Sequence, residues 1–240
     1  GPTSYGDSPY QSFSTYASNP YFIDLELLIE DGLLTRDEVE SQNWGTNPRY
    51  VDYGRIYESR FAVLQKAKDR GWERDQAEVA AFQAENCRWL PDYALYMACK
   101  RHFGMRSWTE WEDADIRLRK SPEVLERYRT LLREDVELFT YLQFLFFRQW
   151  NRLRDYLHGL DIQVIGDLPI YVAMDSADVG GAGVLPAGRP VRSHGGIRRA
   201  AGLFQRRRSA VGQSTVRLGP DAGRRLRLVD PPGGRRVQAV

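Results

Sequence analysis

At 240 residues, 42% of them hydrophobic, the chain has room for one large domain or two small ones. It holds no run of about 18 apolar residues and no basic start followed by a short apolar core, so it reads as neither membrane-spanning nor exported. The net charge of +2 conceals two unlike parts: residues 1–179 carry 21 basic and 30 acidic side chains, whereas residues 180–240 carry 13 Arg, no Lys and 2 acidic residues.

Residues 1–21 are rich in Gly, Pro, Ser and Tyr and lack a helical or alternating apolar period, which predicts an ordered aromatic loop. A helical stripe follows at Leu25, Leu28 and Ile29, with Gly32 as its stop. Residues 51–70 read as a helix closed by Gly71. Further helices are predicted over 77–82 and 93–103, the latter with Pro91 near its start and Gly104 at its end. Cys87 and Cys99 fall in this helical stretch without a CxxC pattern or a nearby histidine pair, and are expected to be buried free thiols of a cytoplasmic protein.

Ser121 and Pro122 open the longest predicted helix, which runs through Leu125, Tyr128, Leu132, Val136, Phe139, Leu142 and Leu145 to about His158 and closes at Gly159. Phe144, Phe146, Phe147 and Trp150 put apolar groups on more than one face, so the helix should be buried between partners. Next come the β-branched run 162–165, a turn at Gly166, Asp167 and Pro169, and a second apolar run at 170–173. A helix, a tight turn, an apolar strand and polar residues at its carboxyl end make one unit of a parallel α/β sheet or barrel. Asp175, Ser176 and Asp178 occupy that end, where such folds place ligands; a helix cap, a sugar contact and a metal contact all remain open there.

Three segments carry a family resemblance. Gly6-Asp7-Ser8-Pro9-Tyr10-Gln11-Ser12 with Asn19-Pro20-Tyr21 resembles the aromatic loop after an early barrel strand in the 4-α-glucanotransferases (amylomaltases) of glycoside hydrolase family 77. Residues 141–150, YLQFLFFRQW, resemble the long helix of that family. The segments 165–173, IGDLPIYVA, and 175–179, DSADV, resemble its third barrel strand. The resemblance covers residues 1–179, with Ser4 and Ser18 standing where glycine is usual, and each could strain a turn.

That resemblance implies an α/β fold, part of a (β/α)8 TIM barrel with a large helical insertion. It implies a substrate loop over 1–21, the insertion over 22–120, the long helix and third strand over 121–179, and transfer of α-1,4-glucan segments by retaining double displacement. Such chemistry needs two carboxyl groups about 5–5.5 Å apart, one as nucleophile and one as acid/base. The family's motifs for these carboxylates are absent here, and His102-Phe103-Gly104 lacks the Asp and Arg of the nucleophile motif. No catalytic residue is therefore assigned and the chain is expected to be inactive. By the same resemblance Ser8 and Tyr10 contact sugar near the cleavage point, Tyr5 belongs to a more remote glucan groove, and Asp175 faces the substrate. No cofactor or metal is implied. The partners expected are α-1,4-glucans, with no membrane and no specific nucleic acid.

The arginine-rich tail would, as a selected sequence, make the protein a helical interaction module that binds nucleic acid through phosphate contacts. A carbohydrate-binding remnant without catalysis is a third reading. Translation out of frame explains the tail better. Rebuilding each codon of residues 199–218 from the last two bases of one residue and the first base of the next permits VPPDYFSADGQRWGNPLYDW, and the same rule from Val179 permits WAEPEYFQLD. Both strings resemble the family's continuation. Residues 180–240 are accordingly expected to be a frameshift product, disordered for want of periodic apolar content.

Overall fold

The computed structural model describes residues 1–180 apart from Ser4, Pro48, Lys120, residues 167–171 and the side chain of Tyr5. The described residues belong to the first of two units into which the chain divides, Gly1–Gly188. Residues 180–240, expected to be out of frame, lie outside them, except that Gly180 ends the last described helix.

The chain begins with a loop pinned by one antiparallel bridge between Thr3 and Ser12 and enters a short turn of helix at Pro20–Phe22. Helix α1 spans Leu25–Glu30 and begins where the Asp24 carboxylate accepts from the amides of Glu26 and Leu27. It stops at Gly32, whose φ of 72° suits glycine. Helix α2, Arg36–Glu40, starts on a capping box between Thr35 and Glu38. Helices α3 (Tyr53–Gly71), α4 (Gln76–Glu85), α5 (Leu90–His102), α6 (Ala114–Arg117) and α7 (Pro122–Leu131) follow. Helix α8 is the longest, Arg133–Gly159, and α9, Ala177–Gly180, ends the described chain.

Helix α8 is the axis. From Leu138 to Leu145 every side chain is buried, and α3, α4, α5 and α7 all pack against it, α5 most extensively. Helix α5 is buried nearly throughout, from Tyr93 to Lys100. Each aliphatic or aromatic side chain taken fully from water there stabilises the fold by about 1.5–3 kcal/mol. Helix α3 adds Val63, Leu64 and Ala67 to the core, the tilted Phe61–Phe139 ring contact, and an ion pair of 3.1 Å between the buried Lys68 and Glu137.

Several expectations change. The helix predicted from 121 to 158 is two helices, because Leu132 leaves the helical region (φ −108°, ψ 28°) and bends the chain between α7 and α8. Burial of α8 ends in its second half: residues 146–150 are half-covered and Asn151 to Tyr156 are exposed. Residues 162–165 form no strand, and Ile165 is 95% exposed. A strand needs a neighbour for its amides and carbonyls, and no described segment lies beside this one to supply it. Of the second apolar run, 170 and 171 lie outside the described residues, and Val172 and Ala173 form no strand. Cys87 is exposed, because α4 ends at Glu85 and the turn before α5 carries it on the surface, whereas Cys99 is buried in the core. Ser18 does not take a left-handed backbone, so it needs no glycine; Ser4 lies outside the description.

Gly71 does not act as a stop either. It is the last residue of α3 without positive φ, and its role is close approach. A Cβ there would overlap the Tyr141 hydroxyl and stand 2.7 Å from Leu33 Cδ2. That hydroxyl cannot easily yield, since it donates to Asp75 at 2.7 Å, beside Arg74 and Arg148 on the same carboxylate.

Gly71→Ala should therefore destabilise the protein. Overpacking costs about 1–3 kcal/mol, more than the roughly 0.8–1.0 kcal/mol that alanine gains over glycine in a helix, and urea unfolding would register the net loss. The thiols give a second check. Burial raises the Cys99 pKa to about 12, so it remains protonated at any ordinary pH; a disulfide reagent at pH 8 should titrate one thiol in the native chain and both of its two cysteines after denaturation.

Candidate functional site

The loop of residues 1–23 is held from two sides. Gln143, wholly buried on α8, accepts from the Ser18 amide at 2.8 Å and donates to the Ser18 carbonyl at 2.9 Å. Gln149 repeats the arrangement with Asp24, at 2.8 and 3.0 Å. On the other side Asp178 in α9 accepts from the Ser14 hydroxyl at 3.1 Å, the Thr15 amide at 2.6 Å and the Thr15 hydroxyl at 2.7 Å, and the Ala177 amide donates to the Phe13 carbonyl at 2.8 Å. Ser176 caps this short helix, its hydroxyl accepting from the Val179 amide. Of the functions open to the polar cluster at 175–178, Ser176 thus serves as a cap and Asp178 as an anchor for the loop.

Between this loop and the start of α3 lies a cleft of about 290 Å³. Tyr21, Tyr53 and Tyr57 line it with Phe13, Phe61, Asp7 and Asn19. The rings of Tyr21 and Tyr53 are 6.4 Å apart and tilted, and those of Tyr57 and Phe61 are 4.8 Å apart. Burial, helped by the Asp7 carboxylate, raises the Tyr21 phenol to about 12, so it remains a hydrogen-bond donor at neutral pH. Aromatic faces flanked by hydroxyls, an amide and a carboxylate suit a polyhydroxylated ring, whose C–H faces pack on aromatics while its hydroxyls find polar partners.

The four residues expected at the site separate. Tyr5 lies in the turn Tyr5–Asp7, directly between the cleft residues Thr3 and Asp7, and its side chain lies outside the description. Ser8 and Tyr10 share the next turn, where the Tyr10 amide donates to the Ser8 hydroxyl at 3.3 Å and the Tyr10 ring is 68% exposed. Neither lines the cleft. Asp175 stands elsewhere, accepting from the Tyr96 hydroxyl at 2.7 Å, the Lys100 ammonium at 2.6 Å and the Trp108 amide at 3.1 Å. Tyr21, Tyr53 and Tyr57 were missed as cleft residues. The YVDYGRIY stretch at 50–57 offered a signal, three tyrosines around a helix start, but a helical period alone could not show which face meets the loop.

A model of the 4-alpha-glucanotransferase family, glycoside hydrolase family 77, matches residues 1–181. The 4-alpha-glucanotransferase of Clostridium butyricum is 48% identical over 179 residues, covering 75% of this chain and 36% of the relative. That of Thermus thermophilus is 42% identical over 184 residues, covering 75% of this chain and 35% of the relative. Among solved structures, the amylomaltase from Streptococcus agalactiae in complex with acarbose superposes with a TM-score of 0.70 at 39% identity, covering 73% of this chain and 36% of that one. The chain thus spans about a third of the length of these relatives, and its described residues share the fold of that part of the amylomaltase.

Asp178→Ala should release the loop from α9. Hydrogen bonds to a charged group contribute about 1.5–3 kcal/mol, so the Thr15 amide should exchange with solvent at least tenfold faster, while amides at the centre of α8 keep their protection. Unchanged exchange at Thr15 would remove Asp178 as the anchor.

Proposed function

The chain belongs to glycoside hydrolase family 77, the 4-alpha-glucanotransferases, and on that premise we propose that the protein it represents transfers α-1,4-glucan segments between chains by a retaining double displacement. The single observation that carries this reading is the match of residues 1–181 to the family, with relatives at 42–48% identity over that stretch. The whole fold is then a (β/α)8 barrel in which residues 1–21 form a substrate loop, 22–120 a helical insertion, and 121–179 the long helix and third strand.

In this reading Ser8 and the exposed ring of Tyr10 meet sugar near the cleavage point. Tyr5, Tyr21, Tyr53 and Tyr57 form the more remote groove, which the cleft between the loop and α3 supports. Asp175 accepts from a glucan hydroxyl with the acceptor capacity its three partners leave free; an ionised carboxylate offers about four lone-pair sites. The chemical step needs a nucleophilic and an acid/base carboxyl group. The motifs that carry them in the family are absent from the 240 residues, so this chain binds glucan and does not cleave it. Residues 180–240 are read as an out-of-frame translation of the gene's continuation, and the protein as a cytoplasmic one.

The reading is tested with the purified chain and maltotriose. No glucose and no longer maltodextrin should form, while migration through an amylose-containing native gel should be retarded, and Tyr10→Ala should reduce that retardation severalfold. Formation of glucose and maltopentaose would overturn the assignment of inactivity. Unretarded migration would overturn glucan binding, and retention on DNA at physiological salt would instead favour a nucleic-acid-binding tail.

A further inference from the structure

Lys100 is among the most deeply buried charged side chains described, 1% exposed at the end of α5. An ammonium has three protons, and this one has three acceptors: the carbonyls of Met105 and Arg106, each at 3.0 Å, and Asp175 Oδ2 at 2.6 Å. It also stands 5.0 Å from the centre of the Phe13 ring, on the loop that carries Ser8 and Tyr10. The turn that supplies the two carbonyls is bent to do so. Gly104 and Met105 both take left-handed backbone, with φ of 66° and 60°, and the second is unfavourable for any side chain other than glycine.

A buried charge is costly to leave unpaired, so Lys100 draws Asp175 inward and fixes one of its oxygens. The other oxygen is held by Tyr96 and the Trp108 amide. With every proton committed, Lys100 has none to offer a sugar. We infer that Lys100 is a positioning residue for glucan binding: the insertion helix α5 uses its buried ammonium to set the orientation in which Asp175 meets the glucan. This rests on the proposed role of Asp175 as a glucan contact.

A double-mutant cycle in the full chain separates this from a merely structural role. Affinity for maltoheptaose is measured by calorimetry for the wild type, Lys100→Met, Asp175→Asn and the double variant, with thermal unfolding recorded for each. If Lys100 acts through Asp175, each single change weakens binding by about tenfold and the double variant is no weaker than either, because a residue acting through another is not additive with it. A double variant weakened by about a hundredfold, the product of the two, would overturn the inference. So would Asp175→Asn binding like the wild type, which leaves glucan binding by the chain intact, whereas a wild type that binds no maltoheptaose fails at the earlier reading and takes the inference with it. Should Lys100→Met not fold, the wild type and Asp175→Asn still decide: the Lys100 ammonium 15N resonance should move on saturation with maltoheptaose in the wild type and stay in place in Asp175→Asn. A resonance that does not move in the saturated wild type contradicts the inference.

Discussion

A primary amide inside an apolar helix interface is expensive unless both its ends are used; an unsatisfied buried donor or acceptor costs about 1–3 kcal/mol. Gln143 sits in the α5–α8 interface with no solvent exposure, and its amide is spent on both backbone groups of Ser18. Six residues further along α8, Gln149 does the same for Asp24, six residues beyond Ser18. Six helical residues advance about 9 Å, whereas six extended residues would reach roughly 20 Å. The loop must therefore contract between its two attachment points, and it does so by coiling into the turn at Pro20–Phe22.

That constraint propagates. The contracted segment carries Tyr21 towards Tyr53 at the start of α3, which makes one wall of the cleft. Upstream, the same loop reaches α9, where Asp178 gathers Ser14 and Thr15 while Asp175, three residues earlier, is bound by Tyr96, Lys100 and Trp108. Two aspartates on one short segment thus join the loop to helix α5 and the turn at Trp108. The surfaces proposed to meet glucan are held by buried polar groups on helices, the kind of support that keeps a binding loop in one geometry without depending on the loop's own propensities.

How much of this could be read from the residues alone depended on whether the signal was local. The caps and stops were legible: Ser121 with Pro122 opens α7, and Gly32 and Gly104 take positive φ where helices end. Gly71 misled because a glycine after a helix looks the same whether it permits a left-handed turn or the approach of a tyrosine from another helix, and only Tyr141 distinguishes them. The bend at Leu132 and the exposure of Cys87 both fall between consecutive helices, at ends that the apolar period does not mark. The apolar run 162–165 has strand chemistry, but a strand is a property of two segments and the second is not among the described residues. Ser8, Tyr10 and Asp175 were expected at a glucan site by resemblance and do not line the cleft, while Tyr21, Tyr53 and Tyr57 emerged only when the loop was folded against α3.

The proposed function requires glucan to meet the surface formed by residues 1–21 and the first turns of α3. Chemical-shift mapping of the isotope-labelled chain during titration with maltoheptaose tests it most directly. Perturbed amides should cluster at residues 3–21 and 53–61 and around Asp175, with the second half of α8 unaffected. Saturable binding whose perturbations avoid the loop and α3, or a titration that perturbs no residue, would contradict it.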